Sequence, residues 1–185
     1  MIERSTFNIH EDLIDKCRRG SRQAQEEIYR LYYRAMYNTC LRILNDRVEA
    51  EDVMQDAFLS AFLKLNQYRG EMSFGSWLKR IVVNKAIDSL RAKKMRFEEL
   101  DEKQEDVSAL NFENDLIQED TEQLVLKVKE AVQKLPEGYR VVLSLFLFEG
   151  YDHEEIAFIL GISESTSRSQ LARAKKKLAD YLMSK

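Results

Sequence analysis

Between Asp152 and Leu178 the chain spells out two short helices and a tight turn, and nothing else in it constrains the fold as strongly. Asp152 is placed to cap the first helix, with Glu155 three residues on as its capping-box partner. Ile156, Ala157 and Leu160 then recur at helical spacing. Gly161 stands where this helix must stop, because a residue without Cβ takes positive φ at little cost. Ile162 follows as an apolar plug, and Ser163 can cap the second helix. Ala157 is small enough to let the two helices cross closely. The pattern is a helix-turn-helix. Its second helix carries Arg168, Arg173, Lys175, Lys176 and Lys177, and residues 163–185 hold six basic against two acidic groups. A solvated surface helix would also be basic, but here turn chemistry and charge point together to DNA.

The remainder is expected to be helical as well. One proline and six glycines in 185 residues leave few breaks, which favours long helices over strands and turns. Cys17 and Cys40 lie in apolar-periodic segments, which suits buried free thiols better than a disulfide framework or a metal knuckle. His10 and His153 lack neighbours at ligand spacing, so no metal is expected. The longest nearly apolar run, Val141–Phe148, is far too short to span a bilayer. The N-terminus shows no apolar signal-peptide core, so a cytoplasmic protein without a membrane span is expected.

A net charge of −3 argues against nucleic acid only until its distribution is considered. Residues 79–96 hold seven basic groups against Asp88, and residues 97–123 hold eleven acidic groups against Lys103. The acidic stretch has few large apolar residues and no clear period, as a flexible linker does. The expected architecture is therefore all-α: two small helical domains, 1–96 and 122–185, joined by a flexible acidic linker, 97–121, with the helix-turn-helix in the second.

In the first domain the periodicity predicts four helices. Asp12–Arg19 is stopped by Gly20. Ser21 caps a long helix with Ile28, Leu31, Ala35, Met36, Ile43 and Leu44 inward, ending at Asn45-Asp46. A third helix runs from about Glu49 to Asn66 with Val53, Ala57, Phe58, Ala61 and Leu65 inward. After a break over residues 67–75, a fourth runs from Ser76 to Ala92, burying Trp77, Leu78, Ile81 and Val82. Arg80, Asn84, Asp88 and Arg91 form one polar stripe on its other side. That stripe suits a solvated face and a base-reading face equally well. On the third helix Asp52, Gln55 and Asp56 fall together, as a basic partner would require, although acidic groups near a helix N-terminus are favourable in any case. In the second domain Leu124, Val128, Ala131, Val132 and Leu135 mark a helix stopped before Pro136. Val141, Val142, Leu145 and Phe148 mark another, ended by Gly150.

Taken in order, these segments resemble the extracytoplasmic-function sigma factors, the smallest class of bacterial transcription initiation factors. The resemblance rests on AEDVMQDAF (Ala50–Phe58), YRGEMSFGSWL (Tyr68–Leu78), RIVVNKAIDSLR (Arg80–Arg91), LPEGYRVVLSL (Leu135–Leu145) and the helix-turn-helix itself. Each motif is weak alone; their succession over nearly the whole chain is specific. Two residues depart from the family pattern. Ser167 replaces an apolar Val and is expected to bond the backbone carbonyl one turn earlier. Gln170 replaces Arg and is expected to remove one charge from the DNA-facing helix.

The resemblance implies roles. Asp52, Gln55 and Asp56 match positions that dock on the coiled coil of the largest subunit of core RNA polymerase. The loop with Tyr68, Arg69, Gly70 and Phe74 matches the one that accepts a flipped base of the −10 element, with Arg80, Asn84, Asp88 and Arg91 helping to read and open it. Ser165, Arg168, Ser169, Ala172, Arg173 and Lys175 match recognition-helix positions at the −35 element. The implied partners are core polymerase (coiled coil and flap region), promoter DNA and, as often in the family, an anti-sigma factor whose surface no feature here identifies. No cofactor and no enzymatic activity are expected, since there is no glycine-rich phosphate loop and no Cys–His pair. A stand-alone helix-turn-helix repressor or activator is the alternative; it leaves AEDVMQDAF and the Asn84/Asp88 stripe unexplained.

Overall fold

The computed structural model describes residues 10–98 and 121–183, with the side chains of 94–98 and 121–122 left aside. Most of the expected linker, residues 99–120, therefore lies outside the described residues. Within them every regular element is a helix, as the scarcity of breaks predicts. The chain divides into two compact units, Met1–Lys93 and Lys94–Lys185.

The first unit contains α1 (Glu11–Arg18), α2 (Arg22–Leu44), α3 (Arg47–Leu63), a 3₁₀ turn over Leu65–Gln67, and α4 (Phe74–Glu98) up to its last five residues. Local hydrogen bonds set its boundaries. The Ser21 hydroxyl accepts from Ala24 N and opens α2. Asn45 ends α2 with φ 57, and Asp46 at once caps α3, accepting from Val48 N and Glu49 N. That cap starts α3 two residues earlier than periodicity suggests, and α3 also stops sooner, at Leu63. The start of α4 is earlier too, because Ser73 Oγ accepts from Ser76 N. The core gathers Ile14, Ile28, Cys40, Ile43, Met54, Phe58, Leu78, Val82 and Val83. Cys17 and Cys40 are buried free thiols, and burial pushes the Cys17 thiol up.

Several expected core positions lie outside this core. Leu31 is 50% exposed and Ala35 is exposed as well. The buried stripe of α2 keeps the expected Ile28, Met36, Ile43 and Leu44 and adds Ala24, Thr39 and Cys40, because α1 and α3 cover that side. Thr39 is accommodated there by donating to Ala35 O at 3.1 Å. On α3, Met54 takes the place expected of Val53, which is half-buried. Trp77 and Ile81 are also only half-buried; the inner face of α4 is Leu78, Val82, Val83, Ala86 and Ile87. The Glu49 carboxylate bridges α3 to α4, accepting from Ser89 Oγ at 2.8 Å and Lys93 Nζ at 3.1 Å.

The second unit contains α5 (Thr121–Gln133), α6 (Glu137–Leu147), α7 (His153–Leu160) and α8 (Glu164–Met183). Its core is α6, with Val141, Val142, Leu143 and Leu145 buried against α8. Leu124 and Phe148, apolar markers of these helices, are exposed: the first turns of α5 precede its packed stretch, and Phe148 is the residue after α6 ends.

Candidate nucleic-acid interface

The turn between α7 and α8 is built as its capping residues require. Asp152 accepts from Glu155 N at 2.8 Å, and Glu155 Oε2 accepts from Asp152 N at 3.1 Å. Gly161 ends α7 at φ 68, and Ile162 N donates to Ala157 O at 3.1 Å. Ser163 Oγ accepts from Thr166 N at 3.1 Å and opens α8. Ser167, Leu171 and Ala174 are buried on the inner face of α8.

Ser167 does not bond the carbonyl one turn earlier. Its hydroxyl lies 2.9 Å from His153 Nδ1, across the two helices. The His153 ring stacks on Phe146, with centroids 4.9 Å apart. Gln170 is half-buried on α8, its amide oxygen 3.5 Å from where a Cβ on Gly138 would stand.

Opposite the buried line, Ser165, Arg168, Ser169, Ala172, Arg173 and Lys175 are all exposed. Their spacing gives one outward face. Lys176, absent from the expected contacts, falls within it and is exposed too. Arg168 is held by an exposed ion pair with Glu164, a contact weak enough for a phosphate to displace. The Lys175 ammonium sits over the Phe146 ring at 5.6 Å, at the edge of the face.

The first unit has two outward faces of opposite character. On α3, Asp52, Gln55 and Asp56 are exposed together. Val48, Leu59 and Leu63 lie on the same face, at 73%, 62% and 86% exposure. This apolar extension was legible in the sequence as apolar residues one turn away from the acidic patch. On α4, Arg80, Asn84, Asp88 and Arg91 are exposed along one side, with Asp88 and Arg91 3.6 Å apart.

The intervening loop separates what the sequence grouped. Arg69 is exposed and Gly70 has φ 76, a conformation that favours glycine. Tyr68 and Phe74 are buried at 4% and 3% exposure. Tyr68 packs on Phe74 and Trp77, and its phenol donates to Met72 O at 2.7 Å. Both rings are thus the floor of the loop and offer no free face to a base.

Residues 28–96 match the family model of Sigma-70 region 2, and residues 126–178 match that of Sigma-70, region 4. The chain is 31% identical over 175 residues to the RNA polymerase sigma-H factor of Pseudomonas aeruginosa, covering 90% of each chain. It is 30% identical over 174 residues to the ECF RNA polymerase sigma-E factor of Escherichia coli, covering 89% of each. This chain belongs to the ECF sigma factor family. As a member, it directs RNA polymerase to promoters. Among solved structures, the sigma factor RpoE in complex with the anti-sigma factor NepR from Bartonella quintana has the same fold, with a TM-score of 0.58 at 20% identity. That likeness covers 86% of this chain and 96% of the other. Among the described residues no helix is long and apolar enough to cross a membrane, and no group of three or more His, Cys, Asp and Glu is arranged to hold a metal ion.

Proposed function

We propose that this sigma factor divides promoter recognition between its two units, with domains at 1–96 and 122–185 and residues 97–121 linking them. The second domain reads duplex −35 DNA through Ser165, Arg168, Ser169, Ala172 and Arg173, with Lys175 and Lys176 on phosphates. The observation that carries this reading is the single outward face these side chains share, opposite the buried Ser167, Leu171 and Ala174. Arginine reads base edges in the major groove, while lysine meets phosphates as a point charge.

The first domain docks on the coiled coil of core polymerase through Asp52, Gln55 and Asp56, and the second meets the flap region. The opposite character of the α3 and α4 faces supports this, since one presents carboxylates and the other arginines with hydrogen-bonding Asn84. The −10 element is read by Asn84, Asp88, Arg80 and Arg91, with Arg69 and Gly70 at the loop rim taking an unstacked base. Extruding that base costs about a few kcal/mol, which polymerase contacts and the basic α4 offset. The protein acts as a binding subunit in the cytoplasm and not as an enzyme. The similarity to a sigma factor solved with an anti-sigma factor makes such a partner part of the proposal.

Run-off transcription with purified core polymerase tests the reading. Promoter-specific transcripts should depend on this chain. Operator binding without polymerase, and no transcripts with it, would support a stand-alone regulator instead.

A further inference from the structure

Helix α1 lies ahead of the residues that match Sigma-70 region 2, yet it reaches the −10 loop. Arg18, on its last turn, donates from Nη2 to the backbone carbonyl of Tyr68 at 2.6 Å. The same guanidinium is steered by Asp15, whose Oδ1 accepts from Nη1 at 2.9 Å, and it stands 6.0 Å from the Tyr68 ring centroid. Tyr68 in turn donates its phenol proton to Met72 O at 2.7 Å. The start of the loop is therefore tied to α1 by its carbonyl and to the far side of the loop by its phenol. Between these ties lie Arg69, Gly70 and Glu71, with Arg69 and Glu71 exposed.

We propose that Arg18 is a positioning residue for promoter opening: from α1 it latches the Tyr68 carbonyl and presets the loop rim for an unstacked base. This rests on the reading that the loop takes a base of the −10 element. A charged donor on a backbone carbonyl forms a stronger bond than a neutral one. A rim already held in its bound shape loses less conformational freedom when the base arrives. Arg18 touches no DNA in this scheme; it acts through Tyr68.

The test uses the full chain with core polymerase and a promoter selected from random DNA by the wild-type holoenzyme. Arg18→Ala should leave core affinity and closed-complex formation unchanged, and lower strand opening per closed complex roughly tenfold by permanganate reactivity. Arg18→Lys should recover part of that loss. Tyr68→Phe, which cuts the phenol tie, should be less than additive with Arg18→Ala. Trp77, the chain's single tryptophan, has its ring 5.3 Å from that of Tyr68 and should become more quenchable in Arg18→Ala without loss of helicity. If Arg69→Ala impairs opening and Arg18→Ala does not, the latch is wrong while the loop reading stands. If neither variant impairs opening, the loop reading fails and the latch fails with it. If Arg18→Ala lowers core affinity, recruitment and thermal stability together, Arg18 is only a structural staple and the proposal is overturned.

Discussion

His153 Nδ1 and Ser167 Oγ are joined by a 2.9 Å hydrogen bond that ties α7 to the recognition helix from inside the helix-turn-helix. Ser167 has no exposed surface, so this contact satisfies a hydroxyl that would otherwise be stranded among apolar side chains. Ser167→Ala should therefore destabilise the chain by about 0.5–1.5 kcal/mol. Ser167→Val, which restores the family residue, should do no better, since added volume at a filled site costs about 1–3 kcal/mol. Urea denaturation of the full-length protein measures both. A gain in stability on Ser167→Val would mean that the site has room the packing does not suggest.

Acid stability should depend on Asp46. The Glu49 N–H holds its carboxyl below the ordinary value of 3.8; desolvation, next in size, opposes it, and the Val48 N–H and Lys93 add smaller pulls in the same direction as Glu49. Folding thus favours the ionised form. The stabilisation is fully present above that ordinary value and is lost as pH falls through the lower folded value. Asp46→Asn keeps a capping oxygen without the charge. Its stability should fall less steeply than wild type between about pH 5 and pH 2 in chemical denaturation at each pH.

Reversing charge on the α3 face tests docking. Asp52→Lys with Asp56→Lys should weaken core polymerase affinity by roughly tenfold or more, with the wild-type advantage shrinking at high salt. Circular dichroism should be unchanged, because both side chains are exposed. Equal affinity of variant and wild type would leave the patch as nothing more than a solvated acidic face of α3.

The two faces proposed to meet DNA should separate kinetically. Arg173→Ala should weaken recruitment to duplex promoter DNA, by about 1–3 kcal/mol at one base position if its contact is to a base edge. A phosphate contact would instead lower the salt slope by about one. Asn84→Ala should leave closed complexes nearly intact and impair opening, seen as lost permanganate reactivity of unpaired thymines. Equal loss of closed complexes in both, with unchanged opening per complex, would refute this division.

What the sequence determined by itself was where helices begin and end around the turn, and which side chains face outward beyond it. The Asp152–Glu155 capping box, Gly161 in the left-handed region and Ser163 on the next helix are interactions among residues a few positions apart, so spacing alone specifies them. The outward line of α8 and the Arg80–Arg91 stripe follow from the same helical repeat. The tertiary structure decided which of several apolar phases each helix buries. A 3.6-residue period is satisfied by Leu31 and Ala35 as well as by Thr39 and Cys40, and only the arrival of α1 and α3 on one side of α2 selects between them. It likewise decided that Tyr68 and Phe74 underlie the loop, and that Ser167 bonds His153, fourteen residues away, and not its own backbone. These outcomes depend on partners distant in sequence, whose positions no local pattern encodes.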